Sequence, residues 1–181
     1  MKAIVYKEYG SPDVLHSAEI EEPSSKDNEL LIRVHTVEAT KADCEIRSFN
    51  FPVKWFWLPL RLLLEVRKPK RQVLGGYFAG EVESVGRNVT KFQAGNAVFG
   101  SSQLRLGAYG EYMCVPETYT IVTTPSDMSF EEAAAVSLGD LNALHFMRRA
   151  DIRRGERVLI NGAGESLAHL ACRLPKPWEP K

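Results

Sequence analysis

Two glycines, Gly162 and Gly164, follow the short apolar run Val158–Ile160 after Asn161 and precede an apolar, helix-compatible segment, Leu167–Leu174. A strand, a glycine turn and a helix in that order present backbone N–H groups and a positive helix end to a pyrophosphate. The chemistry this spacing points to is nucleotide binding, with Gly162, Ala163, Gly164, Ser166 and Leu167 forming the turn. G-x-G alone is a short and common pattern, so its weight depends on the chain around it.

The other residue types that carry chemistry are scattered. Cys44, Cys114 and Cys172 lie far apart and form no C-x-x-C pair, which argues against a disulfide scaffold or a cysteine-built zinc site. None of His16, His35, His145 and His169 has a neighbour at metal-ligand spacing, and each reads as structural or exposed. Lys plus Arg number 23 and Asp plus Glu number 23, so there is no electrostatic case for a nucleic-acid partner. The most apolar stretch, residues 51–66, contains Lys54, Arg61, Pro52 and Pro59 and is too short to span a bilayer. The polar start Met1-Lys2-Ala3 does not read as a signal peptide, and none is expected. A soluble, cytoplasmic protein with reduced thiols is expected.

The elements that would position this chemistry fall into two blocks. Residues 3–6 read as a first strand and 9–13 as a turn cluster. Residues 21–28 are polar and rich in breakers, hence a loop. From Leu30 to Ala39, Ile32, Val34 and Thr36 alternate with Arg33 and His35, the period of a half-buried strand. Lys41–Arg47 has the length of a short helical turn. Residues 51–66 read as a packed helical insertion with a basic end at 67–71, or as an apolar pocket wall or subunit contact, or as a membrane-surface anchor.

Between residues 74 and 86, Gly75, Gly76, Gly80 and Gly86 surround a short β segment, where glycine permits positive φ and close backbone approach. Residues 92–100 read as a turn leading into another strand, and two more strands are expected at 108–115 and 118–122, giving a small all-β barrel. The pattern changes near residue 125. Ser129-Phe-Glu-Glu132 has capping-box spacing and opens a helix to Ser137. Gly139-Asp140 is expected to interrupt it. Leu141, Leu144 and Met147 mark a second helix, and a strand begins at Val158.

Six segments in this order resemble the medium-chain dehydrogenase/reductase superfamily, and more narrowly its zinc-independent quinone-oxidoreductase branch, which includes zeta-crystallin. They are residues 1–6, 74–86, 92–100, 107–112, 131–135 and 155–160. The resemblance implies a mainly β, GroES-like barrel as the substrate domain over residues 1–125. An α/β Rossmann NAD(P)-binding segment, incomplete in this chain, would follow over 126–181. It implies hydride transfer from NADPH or NADH to a small carbonyl, quinone or enone. Metal-dependent relatives place a zinc-binding cysteine and a His-Glu pair where this chain has Thr40, Gly76 and Tyr77, so no zinc is expected.

Thr40 and Asp43 are the catalytic candidates that the resemblance implies. The Thr40 hydroxyl could donate to a substrate oxygen, or bond its own backbone at a strand end. Asp43 has a plainer reading as a helix cap or a partner for Arg47. Cys44 reads as a buried small hydrophobe. Asn142 falls where relatives carry a threonine facing the cofactor.

The resemblance departs at the glycine turn. Glu165 stands where relatives have the glycine that approaches the pyrophosphate, and its charge opposes a phosphate. Ala168 replaces the last glycine, a change the motif tolerates. From Val158 to Lys181 there are 24 residues, fewer than the roughly 30 of a βαβ unit. Three readings follow: a truncated relative of the oxidoreductases not competent alone, an enzyme completed by a partner chain, or a binding module that reuses the barrel. Uncovered apolar faces at Val158, Leu159, Ile160, Leu167 and Leu170 predict poor solubility or self-association.

Overall fold

The alternation of Ile32 and Val34 with Arg33 and His35 produces the central strand of the molecule. In a computed structural model that describes residues 1–51, 68–152, 156–159 and 161, β3 runs from Glu29 to Glu38. It pairs antiparallel with β4 (Tyr77–Val85) on one side and β6 (Tyr112–Pro116) on the other. β5 (Ala97–Ser101) and β7 (Ile121–Thr123) complete a five-stranded sheet of order β6-β3-β4-β5-β7. β1 (Lys2–Val5) and β2 (His16–Glu19) form a separate antiparallel pair. Single bridges from Ala3 to Gly110 and from Val5 to Val73 link β1 to neighbouring loops.

Leu30, Ile32, Phe78, Val82, Val98, Met113 and Val115 form one buried cluster, with Val34 and Val37 packed at its margin. The β3–β4 register shifts around His35, where one extra residue bends the strand. Gly80 lies opposite the bulge. A methyl group there would sit 2.2 Å from the Arg33 carbonyl oxygen, so only glycine lets the strands approach. The bulged His35 ring stacks on Phe130 at 4.5 Å.

α1 (Lys41–Ser48) follows β3 after a two-residue connection. It buries Asp43 and leaves Cys44 exposed, correcting the expectation of a buried thiol.

The chain divides into two compact units, Met1–Ala134 and Ala135–Lys181. At their boundary lies α2 (Phe130–Val136). Its capping box forms as the spacing requires: the Ser129 N–H donates to Glu132 Oε2 at 2.9 Å, and the Glu132 N–H to Ser129 Oγ at 3.2 Å.

In the second unit, α3 runs from Gly139 to Arg149. Gly139 is therefore its first residue rather than an interruption. Glycine at a helix start loses no intrahelical donor bond, because the first N–H groups have no helical partner anyway. Glu156–Leu159 pair in no ladder among the described residues, so the strand expected from Val158 is not formed there. An apolar run becomes a strand only where another strand supplies its hydrogen bonds. Residues 52–66, expected as a helical insertion, lie outside the described residues, as does the segment 162–181.

Candidate functional site

The end of β3 delivers Thr40 and Asp43 into one hydrogen-bonded corner. Thr40 caps α1 in an extended conformation (φ −104°, ψ 163°). Its backbone N–H donates to Asp43 Oδ2 at 2.9 Å, and its hydroxyl donates to the same oxygen at 2.7 Å. In return the Asp43 N–H donates to Thr40 Oγ1 at 3.3 Å. The box is buried, with Thr40 8% and Asp43 5% exposed. The second carboxylate oxygen, Oδ1, accepts from the Gly75 N–H at 3.1 Å. One carboxylate therefore receives two N–H groups and one hydroxyl from two chain segments 32 residues apart.

The Gly75 end is held as firmly. Gly75 has φ +96°, and a Cβ there would meet the Tyr109 ring at 2.7 Å and Ala108 Cβ at 2.8 Å. Ser102, fully buried, donates its hydroxyl to the Gly75 and Gly76 carbonyl oxygens at 3.1 and 3.3 Å. The Tyr109 N–H donates to the Leu74 carbonyl at 3.0 Å.

Three tyrosines and a second carboxyl group surround Asp43. Burial, then the charge of Asp43, pushes the Tyr109 hydroxyl up to about 12, and a hydrogen bond to Asp43 adds to the shift. Tyr6 also rises to about 12, through burial first and then Tyr9 and Asp43. Tyr77 is raised by burial and by the charges of Glu38 and Asp43. Glu38, directly across the ladder from Tyr77, is raised by burial and by Asp43. These tyrosines stay neutral at physiological pH, so the corner offers phenol O–H groups and no phenolate.

The structure thus brings Thr40 and Asp43 together. The Thr40 hydroxyl hydrogen is directed at Asp43, so in this geometry the hydroxyl presents a lone pair, not a proton, to anything else. Asn142 lies on α3 in the second unit, where Nδ2 donates back to the Leu138 carbonyl at 2.9 Å. Gly162, Ala163, Gly164, Ser166 and Leu167 lie outside the described residues. Sequence reading passed over Glu38 and gave Tyr109 only a place in the sheet. The place of Glu38 at a strand end, two residues before Thr40, was the available signal. Among the described residues, no three His, Cys, Asp or Glu side chains converge as a metal site.

A separate open groove of about 470 Å³ runs beside β6, lined in part by Lys26, Arg71, Arg105 and Cys114. Burial, with the charge of Glu29 adding to it, pushes the Cys114 thiol up to about 11. A thiol held in that form is a poor nucleophile, so the groove offers no counterpart to the Thr40 corner.

Residues 26–126 match the alcohol dehydrogenase GroES-like domain family. The quinone oxidoreductase of Sus scrofa is 32% identical over 180 residues, covering 98% of this chain and 50% of that protein. The structure of a quinone oxidoreductase from Coxiella burnetii superposes with a TM-score of 0.81 at 29% identity, over 96% of this chain and 52% of that one. Escherichia coli quinone oxidoreductase, solved in complex with NADPH, gives a TM-score of 0.78 at 26% identity, over 96% of this chain and 48% of that one. The chain spans about half the length of the curated relatives it matches. No helix among the described residues is long and apolar enough to cross a membrane. With its GroES-like fold, this chain belongs to the quinone-oxidoreductase branch of the medium-chain dehydrogenase/reductase superfamily.

Proposed function

We propose that the chain supplies the substrate-side unit of an NAD(P)H-dependent reductase acting on a small quinone, enone or carbonyl compound. The observation that carries this reading is the buried Thr40–Asp43–Gly75 corner, built by a GroES-like sheet at the end of its central strand. Hydride transfer needs a substrate oriented in a site with fixed dipoles more than it needs a strong base. A saturated carboxylate flanked by neutral phenols fits that requirement.

Residues 126–181 are proposed as the start of the nucleotide-binding segment, with Asn142, Gly162, Ala163, Gly164, Ser166 and Leu167 toward the dinucleotide. NADPH or NADH would act as the hydride donor there. The likeness to an NADPH-complexed relative supports the cofactor class. Glu165 opposes a pyrophosphate at that turn, so this chain by itself is proposed to bind the dinucleotide weakly. The free Cys44 and Cys114 fit a reducing, cytoplasmic setting. Zinc has no part in the proposed reaction.

A second reading is a binding or interaction module without catalysis, favoured by the Thr40 hydroxyl proton being committed to Asp43. Titrating the purified chain with NADPH, followed by thermal shift, separates the two. A ligand that binds only the folded state raises stability by about 2.7 kcal/mol at a hundredfold excess over its dissociation constant. A shift with NADPH, together with quinone-dependent NADPH oxidation, supports the reductase. A shift with a quinone or enone and none with millimolar NADPH supports the module.

A further inference from the structure

One carboxyl oxygen at this corner has no hydrogen-bond partner among the described residues. Glu38 Oε2 is enclosed by protein and receives no hydrogen bond from any described residue, while Asp43, one turn of chain away, is saturated. Leaving a buried polar atom unmade costs about 1–3 kcal/mol, so such an atom persists where something repays it. Glu38 as a whole is only partly buried and stands at the end of β3. Across the ladder lies Tyr77, and two residues further along lies Thr40.

We propose that Glu38 is a ligand-contacting residue of this site, its carboxyl O–H donating to the oxygen of a small quinone, enone or carbonyl compound. This rests on the function proposed above and names the group that binds the substrate oxygen. Thr40 does not fill that role while its hydroxyl proton is held by Asp43. Among the described residues, the titratable groups that act on Glu38 are Asp43 on α1 and Tyr77 on β4. The nearby negative charge of Asp43 and the enclosed surroundings both favour keeping the proton on Glu38, the form that can donate. No bond to carbon is made or broken in this step. The proton is shared in a hydrogen bond and returns to Glu38 on release.

Two measurements on the full chain test it. The first follows the Glu38 side-chain carbon by ¹³C NMR against pH. Titration above the ordinary glutamate value of 4.5 is expected, and titration at that value overturns the proposal. The second measures cyclohexenone binding by the wild type, Glu38→Gln and Glu38→Leu across the same pH range. The wild type should bind about tenfold more tightly below the measured Glu38 pKa than above it. Glu38→Gln, whose amide still donates, should hold the tight value at every pH, and Glu38→Leu the weak one. Should the Leu variant fail to fold, the flat profile of the Gln variant decides. Equal, pH-independent binding by all three overturns this assignment and leaves the reductase reading standing. Absence of cyclohexenone binding by all three, at every pH, overturns both.

Discussion

The central strand begins and ends on glutamate, and the two carboxyl groups have opposite surroundings. Glu29, at the start of β3, accepts from Arg105 at 2.7 Å and from the Lys26 N–H at 3.2 Å. Burial alone would raise its pKa, but the Arg105 hydrogen bond, the Lys26 N–H and the Arg105 charge together hold it below the usual carboxylate range. Glu38, at the far end, is raised by burial and by Asp43, and one of its oxygens has no hydrogen-bond partner among the described residues. One strand therefore carries a carboxylate built for stability and a carboxyl group left available. This contrast is what the proposed ligand-contacting role of Glu38 rests on.

The largest test of this contrast removes the partner at the satisfied end. Arg105→Ala should cost about 3 kcal/mol in urea unfolding, because it strands a buried carboxylate and removes the Arg105 contact with the Tyr119 ring. A cost below about 1 kcal/mol would show the pair to behave like an ordinary surface bridge. Next, Asp43→Ala should cost about 2 kcal/mol, since it leaves the buried N–H groups of Thr40 and Gly75 without their acceptor. Tyr109 should then titrate below its present value of about 12 while remaining above 10, because burial, the largest cause, is untouched. Thr40→Ala should cost about 1 kcal/mol and Thr40→Ser close to nothing, because serine caps a helix as well as threonine does.

The smallest effects are the pH slopes, and their signs oppose. Glu29 has a lowered pKa, so its contribution is complete above the ordinary value of 4.5 and is lost as pH falls through the lowered one. Glu38 has a raised pKa, so its contribution is complete below 4.5 and is lost as pH rises through the raised one. Urea unfolding between pH 3 and 8 should therefore show Glu29→Gln removing part of the acid-side loss. Glu38→Gln should remove a loss that begins above about pH 4.5. Slopes of the same sign for both variants would end the comparison.

The sheet was legible because its strands carry their own pattern. Ile32 and Val34 against Arg33 and His35 announce β3 without knowledge of its neighbours, and the glycines of 74–86 were read together as permitting positive φ or close approach, of which Gly75 takes the positive φ and Gly80 the close approach. β2 was not legible. His16-Ser-Ala-Glu19 has no buried side chain and is a strand only because β1 supplies its hydrogen bonds. The same limit works in reverse at Val158 and Leu159, whose apolar character reads as strand. Leu159 is instead 93% exposed and pairs with nothing among the described residues.

At the site, the spacing of Thr40 and Asp43 was readable because a capping box is local. The orphaned oxygen of Glu38 was not, because burial and the proximity of Tyr77 depend on a strand nearly 40 residues away. The exposed Leu141, Phe146, Val158 and Leu159 of the second unit keep the expectation of self-association open to measurement. Sedimentation velocity at rising concentration should show growth beyond a 20.3 kDa species.

The bond from the Gly75 N–H to Asp43 also has an evolutionary consequence. It closes a loop of 32 residues at its two ends, and the entropy of closing a loop grows only with the logarithm of its length. Doubling the chain between these two anchors would add only about 0.6 kcal/mol. Loop-closure entropy therefore sets little limit on how the chain between these two anchors can lengthen, while the carboxylate that organises the site stays where it is.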